Sequence, residues 1–203
     1  MPLEWRNIIQ KLIGGVRLSV TRTIILGFIM VILIGTILLC LPFATRSGES
    51  TSFIVALFTA TSATCVTGLV LVDTFLYWSL FGQIVILLLI QIGGLGFMTV
   101  ATLFSLILRR TISLKERLLI SESIGVNETS GVVRITILIL LGTLIFEGIG
   151  AVILAIRFIP DFGWAGGIYK GIFHSVSSFC NAGFDLMGQV NEFSSLTYYA
   201  NDW

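Results

Sequence analysis

The chain has 203 residues, of which 56% are hydrophobic and 11% charged. A soluble domain carries about 25% charged residues, so a globule surrounded by water is excluded and lipid is the expected solvent. A formal net charge of +1 offers no basic field for nucleic acid, and three cysteines (Cys40, Cys65, Cys180) fit neither a disulfide framework nor a zinc site.

Residues 1–22 form a basic lead, with Arg6, Lys11, Arg17 and Arg22 against Glu4. Its apolar residues, among them Leu3, Trp5, Ile8 and Leu12, suit an amphipathic helix lying at the membrane interface. Residues 23–41 carry no charge and end at Pro42. They match the roughly 20 apolar residues that a spanning helix needs. The run is too long for a signal peptide and lacks its cleavage site, so it is expected to stay in the membrane.

Residues 43–52 are polar, and residues 53–63 are apolar but short and rich in Ser and Thr. The latter predict a re-entrant half-helix. Thr64-Cys65-Val66-Thr67-Gly68-Leu69 then predicts an extended loop. A second apolar run covers residues 76–108, interrupted by Gly93-Gly94-Leu95-Gly96. At about 1.5 Å per residue it exceeds the bilayer core, so it must tilt, kink or project into the cytoplasm. Residues 23–108 thus read as one helix–pore-helix unit, and the charged residues 109–134 as a linker.

Residues 135–156 predict a third span, followed by Pro160, the 163–167 region and a second short apolar segment at 168–179. Residues 135–203 read as an incomplete second unit. The fold class is an all-α membrane protein with about one and a half repeated helix, pore-helix, filter-loop units. The lead and the linker hold nine of the twelve Lys and Arg residues. The positive-inside rule puts both in the cytoplasm, which makes a multi-pass cell-membrane protein whose short segments enter from outside.

The repeat is visible without gaps. Residues 56–69 (ALFTATSATCVTGL) lie over residues 171–184 (GIFHSVSSFCNAGF) at an offset of 115. Phe58 meets Phe173, Ser62 meets Ser177, Cys65 meets Cys180 and Gly68 meets Gly183. Repeated membrane units enclose sites at their interfaces. Non-helical backbone at membrane depth must be buried in protein or line water. A loop that turns its carbonyls to water can replace the hydration shell of potassium, and glycine allows the backbone angles this takes. The candidate filter residues are Val66, Thr67, Gly68 and Leu69 in the first loop and Asn181, Ala182, Gly183 and Phe184 in the second. Potassium is expected at the carbonyls of Val66, Thr67, Gly68, Asn181, Ala182 and Gly183. The C-terminal ends of the half-helices, each about −0.5 charge, would face the cation. Asp73 and Asp185 are candidate mouth charges; the alternative is that they cap a helix or brace the loop.

Three motifs, Thr61-Ser62-Ala63-Thr64-Cys65-Val66-Thr67-Gly68-Leu69, Gln91-Ile92-Gly93-Gly94-Leu95-Gly96-Phe97 and Phe179-Cys180-Asn181-Ala182-Gly183-Phe184-Asp185, give the chain its resemblance to the Trk/Ktr/HKT potassium transporters. The likeness is greatest to the bacterial Ktr membrane subunit. It implies four helix–pore-helix–helix units around one pore, with a filter glycine in each. It also implies a homodimer seated on a cytosolic nucleotide-binding regulatory ring. The 203 residues lack the rest of the second unit and the third and fourth, so the resemblance implies a piece of a longer protein. The implied activity is potassium uptake, with sodium as an alternative coupling or activating ion and no cofactor. Serine at the first filter glycine accompanies sodium preference in plant members, so Gly68 argues for potassium.

Other features have local readings. Gly93, Gly94 and Gly96 predict close helix packing ahead of a hinge. Glu147, inside the third span, is expected to pair with a basic side chain beyond these 203 residues or to be neutral by protonation, a structural role rather than ion coordination. His174 is expected to be a buried hydrogen-bonding residue, and Cys65 and Cys180 apolar fillers behind the loops. No His-Glu-x-x-His, Gly-x-Ser-x-Gly or phosphate loop occurs, and a lone His leaves little acid–base apparatus, so an enzyme is not expected.

Overall fold

A computed structural model describes residues 20–96, 99, 117–121 and 131–200. Residues 1–19 of the amphipathic lead and most of the 109–134 linker lie outside the described residues. Among the described residues there is no strand, only an isolated bridge between Thr45 and Trp78. Helix α1 is Val20–Cys40, and Pro42 opens a 3-10 turn, Pro42–Ala44, at the first position where its missing N–H is not needed. Helix α2 is Phe53–Thr64, α3 is Thr74–Tyr77, α4 is Leu80–Leu95 and α5 is Val132–Phe179. Two 3-10 turns, Met187–Gln189 and Ser195–Tyr199, follow. Helices α1 and α5 are long and apolar enough to cross a membrane.

Two boundaries differ from the sequence expectation. The apolar run that starts near residue 76 is broken at once: Trp78 and Ser79 are extended, with ψ 136° and 172°. The break is held by the loop after α1, since Ser79 N–H donates to Ala44 O (2.9 Å) and Arg46 N–H to Tyr77 O (2.9 Å). Helix α4 then ends at Leu95, where Gly96 takes φ +78°. The third span also runs past Pro160, at the cost of one helical hydrogen bond, and breaks at Gly163 (φ +74°, ψ 172°).

Gly163 reverses the chain. A Cβ on Gly167 would lie 2.6 Å from Ile159 Cα, and one on Gly171 would lie 2.8 Å from Ala151 O. Ser175 Oγ donates to Glu147 O (2.6 Å), and the Phe146 and Phe179 rings stack at 6.4 Å. From 167 through 171 and 175 to 179 the partners step back from 159 through 151 and 147 to 146, so the limb at 164–179 runs back antiparallel along the limb at 132–162. Small residues let the two backbones approach.

The core joins α1, α2, α4 and the returning limb through Leu39, Ala60, Trp78, Ile90, Phe173 and Leu186, all nearly without exposure. The outward faces of α1 and of the first limb of α5 stay apolar and exposed, for example Met30, Ile37, Leu144 and Ile153. Lipid tails are as apolar as leucine, so what holds such helices together is close packing rather than escape from water.

Candidate functional site

The two short helical segments, α2 and the end of α5, close with the same backbone hydrogen bonds. In the first, Cys65 N–H donates to Thr61 O (2.8 Å), Val66 N–H to Ala63 O (3.3 Å) and Thr67 N–H to Ser62 O (3.0 Å). In the second, Cys180 N–H donates to Val176 O (2.9 Å), Asn181 N–H to Ser178 O (3.0 Å) and Ala182 N–H to Ser177 O (2.7 Å). The left-handed residues match as well: Val66 (φ 49°) with Asn181 (φ 57°), and Gly68 (φ 74°) with Gly183 (φ 73°). A β-branched residue at positive φ is a true outlier that costs about 1–3 kcal/mol. Val66 holds this angle because three consecutive amides are already committed to the helix end.

The two turns touch. A Cβ on Gly68 would lie 2.8 Å from Ala182 O and 3.2 Å from Gly183 Cα, and one on Gly183 would lie 3.3 Å from Gly68 Cα. Both turns also rest on α4. A Cβ on Gly93 would meet Thr64 O at 2.0 Å, and one on Gly94 would meet Cys180 Sγ at 2.5 Å. The glycine pair is thus a seat for both helix ends, in keeping with close packing. Cys180 is half-buried there, whereas Cys65 is exposed.

Thr67, Leu69, Asn181 and Gly183 are exposed, while Ala182 and Phe184 are buried. Ser62 and Thr67 pair through their hydroxyls (2.9 Å). Ser177 Oγ donates to Phe184 O (2.6 Å), which turns that carbonyl towards the helix. A cavity of about 280 Å³ opens beside the second turn, bordered by Ser177, Asn181, Gly183, Asp185 and Ser195.

Asp73 is 6% exposed. Its Oδ1 accepts from Phe75 N–H (2.9 Å) and Leu76 N–H (2.8 Å), and its Oδ2 accepts from Phe193 N–H (3.0 Å). Asp185 is half-buried, and its Oδ1 accepts from Met187 N–H (2.8 Å). Both carboxylates therefore hold loop backbone. His174 is buried with both ring nitrogens engaged, as expected of a hydrogen-bonding residue. Glu147 is buried, and Gln91 Nε2–H donates to its two carboxylate oxygens at 2.9 and 3.2 Å. Away from the turns, Tyr199 Oη–H donates to Asp161 Oδ2 (2.8 Å). Burial and this carboxylate push the Tyr199 phenol well above its ordinary pKa.

Sequence reasoning missed Lys170, which is 3% exposed and donates to Leu186 O. A lysine inside an apolar half-helix was the available signal. It also missed Gln91 as the partner of Glu147. Gln91 lies in a quoted motif, but 56 residues separate the two.

The family described as TrkH, cation transport protein, matches residues 19–202. The chain is 54% identical over 172 residues to the potassium/sodium uptake protein NtpJ of Enterococcus hirae, covering 85% of this chain and 38% of that protein. It is 46% identical over 177 residues to the Ktr system potassium uptake protein B of Bacillus subtilis (87% and 39% covered). It is 39% identical over 181 residues to the protein of the same name from Vibrio alginolyticus (89% and 38% covered). The chain thus spans 38–39% of the length of these relatives. It belongs to the TrkH family of cation transport proteins, a family of membrane transporters rather than enzymes.

Proposed function

We propose that this chain, as a member of a cation transport family, forms part of a potassium uptake pathway across the cell membrane, and that its two glycine turns are two walls of a selectivity filter. The observation that carries the reading is the matched pair of turns at Val66–Gly68 and Asn181–Gly183, with corresponding hydrogen bonds and left-handed angles within 8° of each other. Such backbone at membrane depth is stable only where protein or water satisfies it. The carbonyls of Val66, Thr67, Gly68, Asn181, Ala182 and Gly183 are the oxygens proposed to receive potassium, which is cargo rather than cofactor. Carbonyls replace the hydration shell of this ion, and the helix C-termini behind them add negative potential. Leu69 and Phe184 flank the turns. Asp73 and Asp185 act as braces of the loops rather than as attractors at the mouth.

In this reading α2 and the returning limb of α5 are pore helices that enter from outside, α1 and α4 complete the first unit, and the first limb of α5 opens the second. The basic lead and linker face the cytoplasm. The relatives' names support potassium with sodium as the second ion. The resemblance further suggests a homodimer on a cytosolic nucleotide-binding ring, with the 109–134 linker as its docking segment.

The test is a chimera. Residues 19–202 replace the matching stretch of the Enterococcus hirae relative, and potassium and sodium uptake are measured in bacteria that lack their own potassium uptake. Restored uptake with potassium preferred over sodium is the expected result. A chimera that reaches the membrane and moves neither ion sinks the reading.

A further inference from the structure

On the returning limb of α5, Lys170, His174 and Ser177 share one helix face, since residues four and three positions apart are neighbours there. All three are nearly without exposure. All three point at backbone of one short stretch beyond Gly183. Ser177 Oγ donates to Phe184 O (2.6 Å), Lys170 Nζ donates to Leu186 O, and His174 Nε2 accepts from Leu186 N–H (3.2 Å). Both polar backbone groups of Leu186 are thus held by side chains of a single helix.

The hydrogen bonds fix the state of the imidazole. His174 Nδ1 lies 2.7 Å from Lys170 O, an acceptor, so Nδ1 carries the proton. Nε2 must then offer its lone pair to Leu186 N–H. Only the neutral ring protonated at Nδ1 satisfies both partners, and neither nitrogen is left for relaying protons. The ammonium is compensated in its own way. Lys170 Nζ lies over the Phe75 ring (4.1 Å) and the Phe162 ring (4.5 Å). Cation–π attraction of this kind strengthens when the cation is desolvated, and it offsets the cost of burying the charge.

The first turn has nothing equivalent. At the offset of 115 residues, Val55 stands for Lys170, Thr59 for His174 and Leu71 for Leu186. Thr59 Oγ1 is buried without a hydrogen-bond partner, and Ser62 pairs with the Thr67 side chain instead of a carbonyl beyond the glycine. The two turns therefore share their shape but not their support.

We infer that Lys170 and His174 form a clamp on Leu186 that fixes the segment leading out of the second turn, and that this pair consists of positioning residues for ion discrimination. The inference rests on reading the two turns as filter walls. The clamp sets where the Asn181 to Gly183 carbonyls sit, because Phe184 and Leu186 anchor the segment on their far side. The first turn lacks such a clamp and rests on Gly93 of α4 and on contact with Ala182 and Gly183. Discrimination in the second turn thus depends on side chains that never face the ion.

The chimera separates the outcomes. His174→Gln places an acceptor at the Nε2 position, whereas His174→Asn keeps a donor for Lys170 O and leaves Leu186 N–H unpaired. His174→Asn is expected to lower potassium-over-sodium uptake by roughly five- to tenfold, the size of one hydrogen bond, while His174→Gln stays within about twofold of the parent. Lys170→Met should fall with His174→Asn, at equal abundance in the membrane, and Thr59→Val should change nothing. Equal discrimination in the Asn and Gln variants overturns the clamp. If His174→Asn does not accumulate, Lys170→Met decides, and retained discrimination overturns the clamp. If neither accumulates while His174→Gln does, the pair serves folding and the inference fails. An unsubstituted chimera without preference for potassium instead sinks the filter reading itself.

Discussion

A Cβ on Gly68 would lie 2.8 Å from the carbonyl oxygen of Ala182, on the other turn. Backbone cannot yield as a flexible side-chain tip does, and φ +74° already disfavours any residue with a Cβ. Glycine is required here for two independent reasons. The family resemblance links serine at this position to sodium preference; the geometry aims any new side chain at the neighbouring turn. Gly68→Ala is therefore expected to do as much harm as Gly68→Ser. Both should lower potassium-over-sodium uptake in the chimera by about tenfold, in line with strain of 1–3 kcal/mol. Gly183→Ala should do less, since its nearest neighbour is Gly68 Cα at 3.3 Å. Full discrimination in Gly68→Ala at equal abundance would disprove the steric account.

Asp73 offers a test between bracing and attraction. Its carboxylate accepts three backbone N–H groups, two of them at the start of α3. Losing a cap of this type costs about 0.5–2 kcal/mol. Asp73→Ala should lower the midpoint of thermal unfolding in detergent, and its effect on uptake should be the same at low and high ionic strength. A mouth charge would behave otherwise, because salt screens an exposed charge over roughly 10 Å at 0.1 M. An uptake defect that fades as salt is added would restore the mouth-charge role.

Gln91 and Glu147 should be coupled. Gln91 supplies the hydrogen bond to a carboxylate buried between α4 and α5, and stranding such a group costs about 1–3 kcal/mol or more. Gln91→Leu should destabilise strongly, Glu147→Leu less, and the double variant Gln91→Leu/Glu147→Leu less than the sum of these two singles. Thermal midpoints of the four proteins give the cycle. Strictly additive losses would show that the two side chains do not act together.

Orientation is testable by labelling. Nine of the twelve basic residues lie in the lead and the linker. With Cys40, Cys65 and Cys180 replaced by alanine, a cysteine at Ser47 should react with an impermeant thiol reagent added outside, and one at Asn127 should be protected. Reversed labelling would invert the topology.

The long helices were legible because an uninterrupted apolar run has few alternatives in lipid. The two turns were legible because they are written twice, with Cys65 and Gly68 recurring as Cys180 and Gly183. The break at Trp78 was not, since its cause is pairing with Ala44 and Arg46 some thirty residues earlier. The third span was expected to end at residue 156; the helix runs on past Pro160 and the reversal comes at Gly163, where φ +74° is open to the chain. The role of Lys170 escaped because it depends on a backbone group brought close only by tertiary packing, whereas capping by Asp73 was one of the two readings its sequence position offered. Charge at a loop predicts solvent by default, and here the loop folds over the charge.

The seat on α4 has a mechanical consequence. Gly93 lies directly against the Thr64 backbone, and Gly94 against the short side chain of Cys180. Both turns are referenced to the same rod at adjacent positions. When that rod tilts or slides, it carries both helix ends in the same direction, so thermal jitter enters as a common-mode displacement and largely cancels in the gap between Gly68 and Gly183. A gauge mounted this way holds its spacing while its support moves.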